Sequence, residues 1–189
     1  MARLFVENDR MQLQLYSDEA QSFMAKAIAK SEKYSKIMEG RQAPYGQNHV
    51  HSHYIGMVSE HAAFVLMNEI EDLIGAKFTI DPVFQNEERD RECDIVVNGT
   101  RIEVKGIKRD SWNRYGPCIT VAQRKNIERK ADVVLWVQYN EKTDVATFNG
   151  FNYVKDIKRI EPVFTGPPGR LIENHQVLDI IHPLQDLKL

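Results

Sequence analysis

The chain has 189 residues, 42% of them hydrophobic and 28% charged, with a formal net charge of −2. This is the composition of an ordinary globular domain; no apolar run approaches bilayer-spanning length, and two cysteines are too few for a disulfide framework or a cysteine zinc cluster. The first ten residues lack the apolar centre of a secretory signal, so the expected compartment is a reducing cytoplasm.

Residues 1–16 have weak strand character. Ser17, followed by Asp18 and Glu19, reads as an N-cap with acids in the first turn, predicting a helix to about residue 39 that stops at Gly40. Residues 42–52, with Pro44 and Gly46, read as a loop. His49, His51 and His53 alternate there, with His61 beyond. In an extended segment three imidazoles would project to one side, a pattern suited to Zn, Fe or Ni; a histidine-rich polar loop is the plainer account. Residues 56–74 form a strong predicted helix, its apolar face built from Met57, Phe64, Leu66, Met67 and Ile70 and its end marked by Gly75. An extended stretch over 77–84 is broken by Pro82, and the charged residues 85–92 read as a loop.

The most informative segment runs from Asp94 to Lys105. Asn98-Gly99 is a strong signal for a two-residue hairpin turn, because both central positions of a type I′ turn need positive φ. Counting outward sets Val97 opposite Thr100, Val96 opposite Arg101, Ile95 opposite Ile102 and Asp94 opposite Glu103. Strand alternation then puts Asp94, Glu103 and Lys105 on one face and Ile95, Val97, Ile102 and Val104 on the other. Two opposed carboxylates repel. A hard divalent cation such as Mg²⁺, which takes oxygen ligands, removes that conflict, and a lysine two residues along is placed to orient a water. The competing account is a charged, solvated strand face.

Residues 106–117 read as a loop holding Lys108, Arg109, Trp112, Asn113, Arg114 and Tyr115; basic residues among aromatics can contact phosphates and stack on bases, or Trp112 can simply anchor the loop. Residues 118–121 are expected as a third core strand, 123–130 as a basic helix containing Gln123, Arg124 and Lys125, and 131–139 as the most apolar strand. A turn over 140–144, a strand over 145–148, a turn at Asn149-Gly150 and a short helix over 151–161 follow. Residues 166–169 read as a Gly-Pro-Pro-Gly loop, and the C-terminal segment, with His175 and His182, carries no motif. Between Arg101 and Lys130 stand nine basic residues against three acidic ones, a surplus of six that leaves −8 for the rest of the chain. A basic stretch beside acidic residues suits a phosphodiester, although charge runs are commonly solvated faces.

Asp94 followed by Glu103-Val104-Lys105 resembles the PD-(D/E)xK nuclease superfamily, with Cys93 standing where the family name has Pro. The likeness covers about residues 55–139, and Glu60 matches the additional glutamate that the family often carries on a preceding helix. The resemblance implies a restriction-endonuclease-like α/β core, a mixed central sheet flanked by helices, here with an added N-terminal helix. It implies one nuclease domain over 1–189, comprising an N-terminal helical extension (1–54), a catalytic core (55–139) and a C-terminal strand and helices (140–189). The implied activity is Mg²⁺-dependent hydrolysis of DNA, with Mn²⁺ able to substitute. Glu60, Asp94, Glu103 and the Val104 carbonyl would hold metal, and Asp94, Glu103 and Lys105 would be catalytic. Lys108, Arg109, Arg114, Gln123, Arg124 and Lys125 would meet the substrate. DNA is the implied partner, a homodimer the implied form where both strands are cut, and a membrane is not implied. Two other classes remain open: a nucleic-acid-binding module that does not cut, and a metal hydrolase built on the histidines.

Overall fold

Asn98 and Gly99 take positive φ, 48° and 84°, and the chain reverses on them. The reversal pairs β4 (Ile95–Val97) with β5 (Thr100–Lys108) in the predicted register, Ile95 to Ile102, Val96 to Arg101 and Val97 to Thr100. The computed structural model describes residues 3–8, 10–37, 49–74, 77–89, 92–157, 175–177 and 181–188. β3 (Ile80–Asp81) adds antiparallel to β4 and ends at Pro82, which has no N–H to continue a ladder. On the other side β5 pairs in parallel with β7 (Val133–Asn140), which opens on the apolar run Val133–Val137. β8 (Val145–Tyr153), β2 (Arg10–Gln14) and β1 (Arg3–Glu7) follow, each antiparallel to its neighbour. The seven-stranded mixed sheet has the order β1-β2-β8-β7-β5-β4-β3.

One face of the sheet carries Ile95, Val97, Ile102, Val104, Leu135, Val137 and Phe148, buried beneath α2 (His49–Ile74), against which α1 (Ser17–Ile37) packs. On the opposite face Cys93, Val134 and Trp136 meet Ile127 of α4 (Val121–Lys130), with Trp112 of α3 (Arg109–Tyr115) packed alongside. The protein is therefore a mixed α/β fold with helices on both faces and an N-terminal helix beyond α2, the architecture predicted at that level.

Several elements differ from expectation. The expected loop over 42–52 yields at residue 49 to α2, because Val50, Tyr54, Ile55 and Val58 recur at helical spacing and pack into the core. Residues 49, 51 and 53 therefore lie on a helix, where neighbours two apart point about 200° apart, and share no single side. The N-terminal segment contributes the β1–β2 hairpin to the main sheet as well as a helix. In place of a loop over 106–117, β5 runs on to Lys108 and α3 follows. The α3 helix is held by Trp112 against Trp136, with ring centroids 6.4 Å apart, and ends at Gly116 with φ 66°. β6 (Cys118–Thr120) is not a strand of the main sheet; it pairs with β9 (His175–Val177) in a separate two-stranded sheet, since both edges of β5 are already taken by β4 and β7.

Asn149-Gly150 does not reverse the chain either. β8 passes straight through it, with Trp136 facing Gly150 and Val137 facing Phe148, so that Asn149 is the extra residue of a bulge. Gly150 has φ 112°, and a methyl group there would collide with the His182 carbonyl, whose residue exchanges two 2.9 Å backbone hydrogen bonds with Phe151. Over the expected helix of 151–161 the strand continues to Tyr153 and a 3-10 turn, Val154–Asp156, follows. Residues 158–161 and the 166–169 loop lie outside the described residues.

Candidate active site

The predicted face alternation holds along the hairpin. Ile95, Val97, Ile102 and Val104 enter the α2-side core, while Glu103, only 3% exposed, points to the other face with Lys105 two residues on. Asp94 precedes β4 directly. Its backbone N–H donates to the Ile102 carbonyl at 3.0 Å, and its Oδ2 accepts the Val104 N–H at 2.7 Å. That second bond fixes the Asp94 carboxylate across from the Glu103-Val104-Lys105 segment, where the expected catalytic residues meet.

Glu60 arrives from α2 through a close helix–strand contact. Gly106, the residue after Lys105, lies so near α2 that a methyl group on it would collide with Ser59 Oγ and come within 2.8 Å of the Ile55 carbonyl. With no side chain between them, β5 and the Ser59-Glu60 turn of α2 rest on one another. Glu60 is thereby brought into electrostatic range of Glu103, Lys105 and Lys130.

Glu103 is clamped by two cations. Lys105 Nζ lies 2.6 Å from Oε1 and Lys130 Nζ lies 2.6 Å from Oε2. Lys130 is the member of this cluster that sequence reading missed. It closes α4 three residues before Val133, which pairs with Ile102. The parallel crossover from β5 to β7 therefore returns the end of α4 to Glu103. The Arg101 guanidinium pins the same junction, donating to Asp132 Oδ1 at 2.8 Å and to Oδ2 at 3.0 Å. The available signal was that basic helix followed at once by the most apolar strand.

Electrostatics at the cluster follow from burial and crowding. Burial, reinforced by the Glu103 and Glu60 charges, pushes the Asp94 carboxyl up to about 8 against the opposing pull of Lys105 and the Val104 N–H. Burial raises the Glu60 carboxyl too, with Glu103 adding to the rise and Lys30 and Lys105 working against it. Burial alone would lower the Lys130 ammonium, but Glu103 outweighs it and the net shift is upward.

The donors are of the kind a hard divalent cation takes: Asp94 and Glu103 lie on the same hairpin with Glu60 within electrostatic range, and burial first, then their mutual repulsion, raises the carboxyls of Asp94 and Glu60. Among the described residues no three acidic, histidine or cysteine side chains form a ready-made cage, in keeping with both Glu103 oxygens being turned to lysines. Val104, the expected carbonyl ligand, sits between Glu103 and Lys105 with its side chain in the opposite core.

The expected substrate residues are more dispersed. Lys108 ends β5 with Nζ 3.2 Å from Glu141. Arg114 stacks its guanidinium 5.1 Å from the Tyr115 ring centroid, and Arg124 pairs with Glu128 at 2.6 Å. Gln123 and Lys125 are exposed on α4. Arg109 lines a polar groove of about 610 Å³ with Arg10, Gln12, Gln14, Gln138 and Asn140. Gln138 and Asn140 alternate with Val134 and Trp136, which face Glu103 and Lys105 across the β5–β7 ladder, so the groove follows the same sheet face. Of the histidines, His51 Nδ1 lies 2.6 Å from Glu141 Oε1, and the side chain of His49 lies outside the described residues. The chain matches no protein-family model, no curated protein and no solved structure.

Proposed function

We propose that this protein is a Mg²⁺-dependent nuclease that hydrolyses phosphodiester bonds in DNA, acting as an endonuclease on a restriction-endonuclease-like core. The reading is carried by the convergence of Asp94, Glu103 and Lys105 on one hairpin face, with Glu60 supplied by a helix, the pattern of the superfamily that the sequence resembles. The order of elements agrees with it: a helix bearing the first glutamate, the hairpin, then a basic helix leading to an apolar strand parallel to the Glu-x-Lys strand.

Glu60, Asp94, Glu103 and the Val104 carbonyl would hold the cation. When bound, such an ion supplies Lewis acidity toward a phosphate oxygen and makes a neighbouring water a better nucleophile. The chain's own contribution is positional. The Val104 N–H fixes the Asp94 carboxylate, and the hairpin register fixes Glu103 relative to it. Lys105 stands beside both, where its ammonium orients a water toward phosphorus and balances the negative charge that grows there during attack. Lys108, Arg109, Arg114, Gln123, Arg124 and Lys125 serve the flanking phosphates, a role that makes affinity fall as salt rises.

The test is incubation of the protein with supercoiled plasmid, linear duplex and single-stranded DNA in Mg²⁺, Mn²⁺ and EDTA. Cleavage in either metal and none in EDTA is the expected result, with nicked or linear plasmid marking endonuclease action. Binding without cleavage in all three conditions would turn the assignment to a nucleic-acid-binding module.

A further inference from the structure

Glu103 is almost completely buried, yet each of its oxygens holds a lysine ammonium at 2.6 Å. Only one of those lysines belongs to the Glu-x-Lys signature. A buried carboxylate beside Asp94 and Glu60 is costly unless it is neutralised, and here the neutralising charge comes from outside the motif as well as from within it.

We infer that Lys130 is the resident counter-ion of the carboxylate cluster, holding Glu103 when no cation is bound and competing with a divalent cation for that carboxylate. Two observations separate it from Lys105. Lys105 follows Glu103 by two residues on the same strand face, so the hairpin that carries Glu103 also fixes Lys105. Lys130 is the last residue of α4 and reaches Glu103 from a different layer of the fold. A lysine is a point charge on a flexible four-carbon stem, so its ammonium can leave while the helix stays in place. A doubly charged cation on the same carboxylate would be repelled by an ammonium that close. Cation entry therefore exchanges Lys130 for metal at Glu103, and the released ammonium stays beside the site, free to meet a phosphate. The inference rests on the reading of this cluster as a metal centre.

The test uses the full chain, with Mg²⁺ itself as the probe and calorimetric binding and thermal melting in EDTA as readouts, so no nuclease assay is needed. Lys130→Met keeps the stem and removes the charge. It is expected to bind Mg²⁺ about tenfold more tightly or better and to melt below wild type in EDTA, while Lys130→Arg stays near wild type in both. Lys130→Gln, which can still donate a hydrogen bond to Glu103, carries the same comparison should the methionine variant not fold. Mg²⁺ binding by wild type with no gain, or a loss, in the uncharged variant overturns the role given to Lys130 and leaves the metal reading standing. A wild-type chain that takes up no Mg²⁺ overturns both.

Discussion

Asp94 is held by the Val104 N–H through one oxygen while burial and two neighbouring carboxylates resist its charge. In the absence of a cation that arrangement works against the fold, because a buried charge facing like charges is destabilising. Asp94→Asn keeps an oxygen for the Val104 N–H and removes the charge. The variant should melt at a higher temperature than wild type in EDTA and lack the rise that Mg²⁺ is expected to give wild type if it binds the folded state; a lower melting temperature in EDTA would contradict the electrostatic account. Asp94, Glu103 and Lys105 were legible in the sequence because hairpin register is local arithmetic once Asn98-Gly99 is taken as the turn. Lys130 was not, because its approach to Glu103 depends on a crossover that brings residues distant in sequence together, and no local pattern encodes that distance.

At the scale of elements, the contact between α2 and β5 at Gly106 decides whether Glu60 reaches the other acids. Gly106→Ala should cost about 1–3 kcal/mol through overpacking, read as a lower denaturation midpoint, and should weaken Mg²⁺ binding as Ser59 and Glu60 are pushed outward. Unchanged stability would show that the two elements part freely. The two Asn-Gly pairs show how far short motifs reach. Asn98-Gly99 turns the chain because strands of matching pattern flank it, whereas Asn149-Gly150 sits inside a strand that has already reversed from β7 at residues 141–144 and is flanked on its other edge by β2 from the N-terminal segment, and the glycine serves a bulge packed on His182. The histidine run was misjudged for a related reason: an alternating pattern of polar residues says little when Val50, Tyr54 and Ile55 commit the backbone to a helix.

At the scale of the molecule, the mixed sheet with helices on both faces is what the alternation of apolar helices and strands implied. The flanking additions were not evident. The β1–β2 hairpin joins through β8, which lies some 130 residues away in sequence, and β6 finds its partner in β9. The layered arrangement places the acidic cluster at the junction of the strand pair β4–β5 with α2 on one side and α4 on the other. Each layer contributes to it: Asp94, Glu103 and Lys105 from the hairpin, Glu60 from α2 and Lys130 from α4.

The proposed nuclease activity requires that junction to be a hydrolytic centre. Its most direct test is the rate of supercoiled-plasmid cleavage in Mg²⁺ by wild type and by Glu103→Gln, prepared identically and matched in circular dichroism. The predicted result is metal-dependent cutting by wild type that falls by about 10²-fold or more in the variant, with DNA binding retained. Equal cleavage by the two proteins would contradict the assignment of Glu103 and, with it, the proposed centre.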